Sequence, residues 1–128
     1  MIRDVTDLRV YNDALSNLPL VYDLASQIPE RHRKLRSQLI EAAEAIAALI
    51  AEGFGKKRSE KEFKRFLEMA MGSSDEVITH IREAKILALR VRVINKSLCD
   101  ILVEKYKVES KQLQQLIKNW MSYPKSSV

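Results

Sequence analysis

The sequence predicts an all-α fold, an antiparallel up-down-up-down four-helix bundle filling one domain over residues 1–128. Three observations lead there. Apolar side chains return at alternating steps of three and four along four stretches, the period of a helix with one buried face. No stretch alternates apolar and polar residues strictly enough for a strand. The connections are short and hold Pro, Gly or capping residues, so successive helices become antiparallel neighbours. A chain of 128 residues buries roughly two thirds of its unfolded surface, enough for one core without disulfides. The helices are expected at about 7–28, 30–53, 59–89 and 96–122.

In the first helix Leu8, Tyr11, Leu15, Leu18, Tyr22 and Ala25 make the apolar stripe, after a loose lead of six residues and a cap at Asp7. Pro19 lies inside that stripe. It lacks a backbone donor and crowds the turn before it, so a kink near Leu15 to Leu18 or a restart is expected. Pro29 ends the element or opens the next.

The second helix carries Leu35, Leu39, Ala42, Ile46, Leu49 and Gly53, with a second apolar row at Ala43, Ala47, Ile50 and Ala51. Two apolar rows mark the most enclosed helix of a bundle. Gly53 and Gly55 are free to take positive φ and to redirect the chain. Ser59 and Glu62 have the spacing of a capping box, which starts the third helix. Phe63, Leu67, Ala70, Ser74, Val77, Ile81, Ala84 and Ala88 form its stripe, with Phe66 also directed to the core. The Gly72-Ser73-Ser74 interruption points to close approach of another helix, since Gly inside a helix costs about 1 kcal/mol against Ala. Arg90 to Ile94 is β-branched and reads as a loop. Asn95 or Ser97 caps the fourth helix, which Leu98, Leu102, Tyr106, Leu113, Leu116 and Trp120 line less regularly. Residues 123–128 read as a frayed tail. Val21, Ile101, Val103, Val108 and Ile117 fall off the main stripes and are expected on an oligomer interface.

The chain has 22 basic and 17 acidic residues, a net charge of +5. The charge is uneven: residues 1–52 carry net −2, residues 53–95 net +4 and residues 96–128 net +3. One cysteine, Cys99, permits no intrachain disulfide and fits a reducing cytoplasm. No secretion signal and no bilayer-spanning run is present in the sequence.

Catalytic chemistry finds little support. A bundle di-metal site needs Glu three residues before His on two helices, and neither His32 nor His80 has that neighbour. Glu76 and His80 read as a helical ion pair. Cys99, beside Leu98 and Leu102, reads as a buried inert thiol. Gly53-Phe54-Gly55-Lys56 has neither the spacing nor the preceding strand of a phosphate-binding motif. Glu52 ends an apolar helix, where the dipole disfavours it, and calls for a cationic or amide partner, at the basic elbow or on a neighbouring subunit. No metal or cofactor is expected.

The basic residues are more informative. In an up-down bundle the elbow at 53–58 lies at one end and the connections at 27–33 and 90–95 lie at the other. The first end gathers Lys56, Lys57, Arg58, Lys61, Lys64 and Arg65, with Arg3 and Lys118 near. The second gathers Arg31, Arg33, Lys34, Arg36, Arg90 and Arg92. Such clusters either form a solvated face or neutralise phosphates in a salt-dependent way. No aromatic residue is interleaved for base stacking apart from Phe63 and Phe66, which fit the core stripe.

Leu8-Arg9-Val10-Tyr11, Val21-Tyr22, Gln38-Leu39, Ala42-Ala43, Ile50-Ala51-Glu52-Gly53 and Arg65-Phe66-Leu67 with Ala70 and Gly72-Ser73 resemble the bacterial 23S rRNA intervening-sequence proteins. The resemblance covers roughly residues 7–90. Ile40-Glu41 and Ala45 to Leu49 depart from the family pattern and make the second helix less basic and less polar. The resemblance implies a closed four-helix bundle, a homo-oligomeric ring that is typically a pentamer, and no catalytic activity. It extends to the accessory variability determinants of diversity-generating retroelements, basic pentamers that partner a reverse transcriptase and bind nucleic acid. Two functional readings follow: phosphate-mediated binding of RNA or DNA, and a protein-interaction adaptor for a reverse transcriptase.

Overall fold

The computed structural model describes residues 2–120. Residues 123–128, expected as a tail, and the last two residues of the expected fourth helix lie outside them. Among the described residues every regular element is helical: α1 (Arg9–Ser16), α2 (Leu18–Ser26), α3 (Arg33–Phe54), α4 (Glu60–Leu87) and α5 (Lys96–Asn119), with 3-10 turns at Val5–Asp7 and Glu30–His32. α1 and α2 together form the first of four arms.

The loose lead expected before α1 is instead a capped turn. Asp4 accepts from the Thr6 amide, and Asp7 accepts from the Arg3 and Asp4 amides at 2.9 and 3.0 Å. Asp7 therefore caps backwards, and α1 begins at Leu8 without a side-chain cap. The first arm restarts at Asn17, with Pro19 in the first turn of α2, where a missing N–H costs no helical hydrogen bond. This restart turns the stripe. Leu15 and Tyr22 face outward, whereas Val21, expected on an interface, is fully buried.

α3 buries most of both its rows: Leu39, Ala42, Ala43, Ile46, Ala47 and Ile50 belong to the core, while Leu35, Leu49 and Ala51 are partly buried. Small alanines let it pack on α1, α2 and α4 together. The elbow after α3 is built without a left-handed glycine. Gly55 has φ −63° and ψ −17°, and no described glycine has positive φ. Successive tight turns close it, with Lys56 N–H to the Gly53 carbonyl at 2.9 Å and Ser59 N–H to the Lys56 carbonyl at 3.0 Å. Gly53 serves a different purpose, which is space. A Cβ there would lie 2.5 Å from Phe66 Cβ, closer than two carbons can approach.

Ser59 caps α4 by accepting from the Glu62 amide at 3.1 Å. The reciprocal arm of the expected capping box is replaced, because the Glu62 carboxylate turns to Arg65 instead. Gly72 is exposed, and a Cβ on it would meet nothing within 4 Å. The close helix contact lies two residues on. Ser74 is fully buried and donates to the Tyr106 carbonyl at 3.1 Å, and its Oγ lies 2.8 Å from Ser110 Oγ. Thus α4 meets α5 at three levels: Phe63 on Trp120, Ser74 on Tyr106, and Lys85 paired with Asp100 at 2.6 Å. Gln27 accepts from the Asn95 amide at 2.8 Å, bringing the connections before α3 and before α5 together.

Candidate nucleic-acid interface

The elbow is set on a floor of aromatic rings. Phe63 is fully buried, with Phe54 edge-on at 6.0 Å and Trp120 edge-on at 4.7 Å between centroids. Phe66 is buried too, but it stands apart from the core and roofs the close approach at Gly53. The cations rest on this floor. Lys57 Nζ lies 4.3 Å from the Phe54 centroid, Lys56 Nζ 5.2 Å from that of Phe66, and the Arg65 guanidinium 4.7 Å from the same ring. A cation over a ring face gains about 0.5–1 kcal/mol at an exposed site, enough to bias the side chain's position. Phe66 is buried as expected of a core residue, yet its ring is also the seat of two of the cations, which the sequence alone does not predict.

Carboxylates take some of the charge. Lys64 pairs with Glu60 at 3.7 Å and Arg65 with Glu62 at 3.1 Å. The Arg65 hydrogen bond, with the nearby positive charges of Arg65, Lys56 and Lys61, holds the Glu62 carboxyl below its ordinary range. The Glu62 hydrogen bond and, more weakly, the charge of Glu52 stabilise the Arg65 cation. Among the described residues Glu52 forms no ion pair, so the direct cationic partner expected for it is not found there. Among the described residues Lys56, Lys57, Arg58 and Lys61 form no ion pair with a carboxylate.

At the other end Arg31, Arg90 and Arg92 are exposed on the two connections that Gln27 and Asn95 join, and Arg33 and Lys34 are exposed at the start of α3. Arg36 is committed: it donates to Glu30 at 2.7 Å and to the Ile28 carbonyl at 3.3 Å. With α4 rising about 1.5 Å per residue, the two clusters stand about 40 Å apart, as separate surfaces.

Away from both ends, His80 is clamped between two carboxylates, Glu83 at 2.7 Å and Glu76 at 3.2 Å. Glu83 is a second partner beyond the Glu76 pair read from the sequence. Among the described residues no group of three or more His, Cys, Asp or Glu could hold a metal. Cys99 is fully buried, and burial pushes its thiol up.

Glu109 is the residue that sequence reasoning missed. It is 1% exposed, and neither carboxylate oxygen has a hydrogen-bond partner; the nearby Tyr106 hydroxyl is likewise buried and unpartnered. Burial, with the charge of Asp13 on α1, pushes the carboxyl up to about 8. The signal was present in the spacing. Leu102, Tyr106, Glu109, Leu113, Leu116 and Trp120 step by four and three without a gap, so the apparent irregularity of α5 was a charged residue in a core position.

No helix of the described residues is long and apolar enough to cross a membrane. No curated protein matches the chain. Residues 6–115 match the family model of the 23S rRNA-intervening sequence proteins, and the chain belongs to that family.

Proposed function

We propose that this protein is a non-enzymatic, cytoplasmic, oligomeric bundle that binds nucleic acid through phosphate contacts at the elbow. The observation that supports this reading most is the group Lys56, Lys57, Arg58 and Lys61, which lies beside a carboxylate-paired Lys64 and Arg65, with Lys56 and Lys57 over buried aromatic rings. Cations whose positions are already biased give up less freedom when they meet phosphates. The contacts along α4 and α5 support an antiparallel up-down-up-down topology. The family resemblance supports a ring, typically a pentamer, which would repeat the elbow and raise the local field.

A Lys56→Ala/Lys57→Ala/Arg58→Ala variant tests this. Its affinity for mixed-sequence RNA or DNA should fall, and the salt slope should flatten by about one unit per lost contact. The fold should persist, because exposed charges contribute little stability. Fluorescence anisotropy across a salt series reads both quantities. An unchanged slope in the folded variant would transfer the role to Arg31, Arg33, Lys34, Arg90 and Arg92.

The second reading is a protein adaptor, of the kind that partners a reverse transcriptase in a diversity-generating retroelement. The exposed apolar side chains Ile86, Leu89 and Val93 beside the second basic cluster favour it, because they suit a protein face better than a phosphate backbone. A reverse transcriptase gene and a template repeat beside this gene would favour the adaptor. A position within a 23S rRNA intervening sequence would favour the first reading.

A further inference from the structure

We infer that the elbow's nucleic-acid ligand is double-stranded rather than single-stranded; this deepens the phosphate-binding reading above and rests on it. Proteins that hold single strands stack bases on open aromatic faces, and each stacked base contributes about 1–3 kcal/mol. Among the described residues Phe54, Phe63 and Phe66 at the elbow are all buried, and Trp120, partly buried, packs edge-on against Phe63. Phe54 carries Lys57 on its face, Phe66 carries Lys56 and Arg65, and Phe63 is fully buried between Phe54 and Trp120. What the surface offers instead is cations at biased positions. A flexible strand must be ordered to meet them, with no stacking to offset that cost. A duplex presents its phosphates already fixed, at one charge per about 1.7 Å of axis. Salt dependence runs near −0.9 per neutralised phosphate on a duplex and near −0.7 on a single strand. Four cations without carboxylate partners then steepen the duplex slope by about 0.8, so the duplex advantage grows about sixfold for each tenfold drop in salt.

The test is fluorescence anisotropy with one mixed-sequence oligonucleotide, alone and annealed to its complement, as RNA and as DNA. The duplex forms should bind more tightly near about 50 mM salt, with a salt slope steeper by about 0.8. A Lys56→Ala/Lys57→Ala/Arg58→Ala/Lys61→Ala variant, its fold checked by circular dichroism, should lose most of the duplex preference. Single strands bound as tightly as duplexes, or a purine homopolymer bound more tightly than a pyrimidine one, would overturn the inference and leave phosphate binding standing. Failure of both forms to bind at low salt would remove the underlying reading itself.

Discussion

Glu109 shows what one residue does when the pattern places it in a core position. A carboxyl buried without hydrogen bonds is held in its neutral form. Its native value of about 8 lies above the ordinary 4.5, so the folded state binds the proton more tightly than the unfolded state. The contribution of Glu109 to stability is then fully present below about 4.5, falls as pH rises through the window to about 8, and levels off beyond it. Glu109→Gln should therefore raise the melting temperature more at about pH 9 than at about pH 5. Equal shifts at both pH values would show that the carboxyl does not titrate in that window. The glycines make a second pair of opposites. Gly53→Ala must push its new methyl against Phe66 and should destabilise by about 1–3 kcal/mol, whereas Gly72→Ala should stabilise by about 1 kcal/mol through helix propensity. Chemical denaturation of both variants checks the signs. Sequence composition marks both residues only as glycine. The distinction lies in what faces them, Phe66 in one case and open space in the other, and that is a tertiary fact.

The helices themselves were largely legible, because period and caps are local. The stripes of α3 and α4, the cap at Asn95 and the restart near Pro19 all follow from neighbours within a few residues. Less legible was the use of side chains that have two local choices. Glu62 could close the cap or pair with Arg65, and the ion pair takes it because Arg65 sits one turn further on, beside Lys56 and Lys61. The two partners of the expected box thus contribute unequally. Ser59→Ala should cost about 1 kcal/mol. Glu62→Ala should cost at most about 0.5 kcal/mol, the scale of an exposed pair. Thermal melts of the two single variants decide it: equal losses would restore the reciprocal box. For the candidate site the six cations were legible from charge density, while their seating was not. The ring positions of Phe54 and Phe66 depend on α3 and α4 meeting at Gly53, beyond the reach of any single stripe.

For the whole molecule the question is what covers the apolar side chains that the bundle leaves outside. Ile86, Leu89 and Val93 are 68, 72 and 66% exposed, and all three lie at or beyond the last turn of α4. Arg82, Lys85 and Lys96 flank the first two. One stretch of α2 and the middle of α3 are of the opposite kind: Tyr22 is bonded to Glu44, with Asp23 and Glu41 beside them in sequence. A cation-flanked apolar patch on one face and an acidic, tyrosine-bearing face elsewhere complement each other between copies better than either complements itself. Contacts between unlike faces generate rings when the rotation closes, whereas self-complementary faces generate two-fold dimers. The expected outcome is that light scattering at micromolar concentration gives a multiple of the chain mass, and that raising the salt concentration weakens the assembly as screening removes the charge complement. Ile86→Lys with Leu89→Lys should return a monomer of unchanged helix content, because neither side chain belongs to the buried core. A monomeric mass for the unsubstituted protein would defeat the ring. An intact assembly in the double variant would move the interface to Ile101 and Val108 on α5, each half exposed.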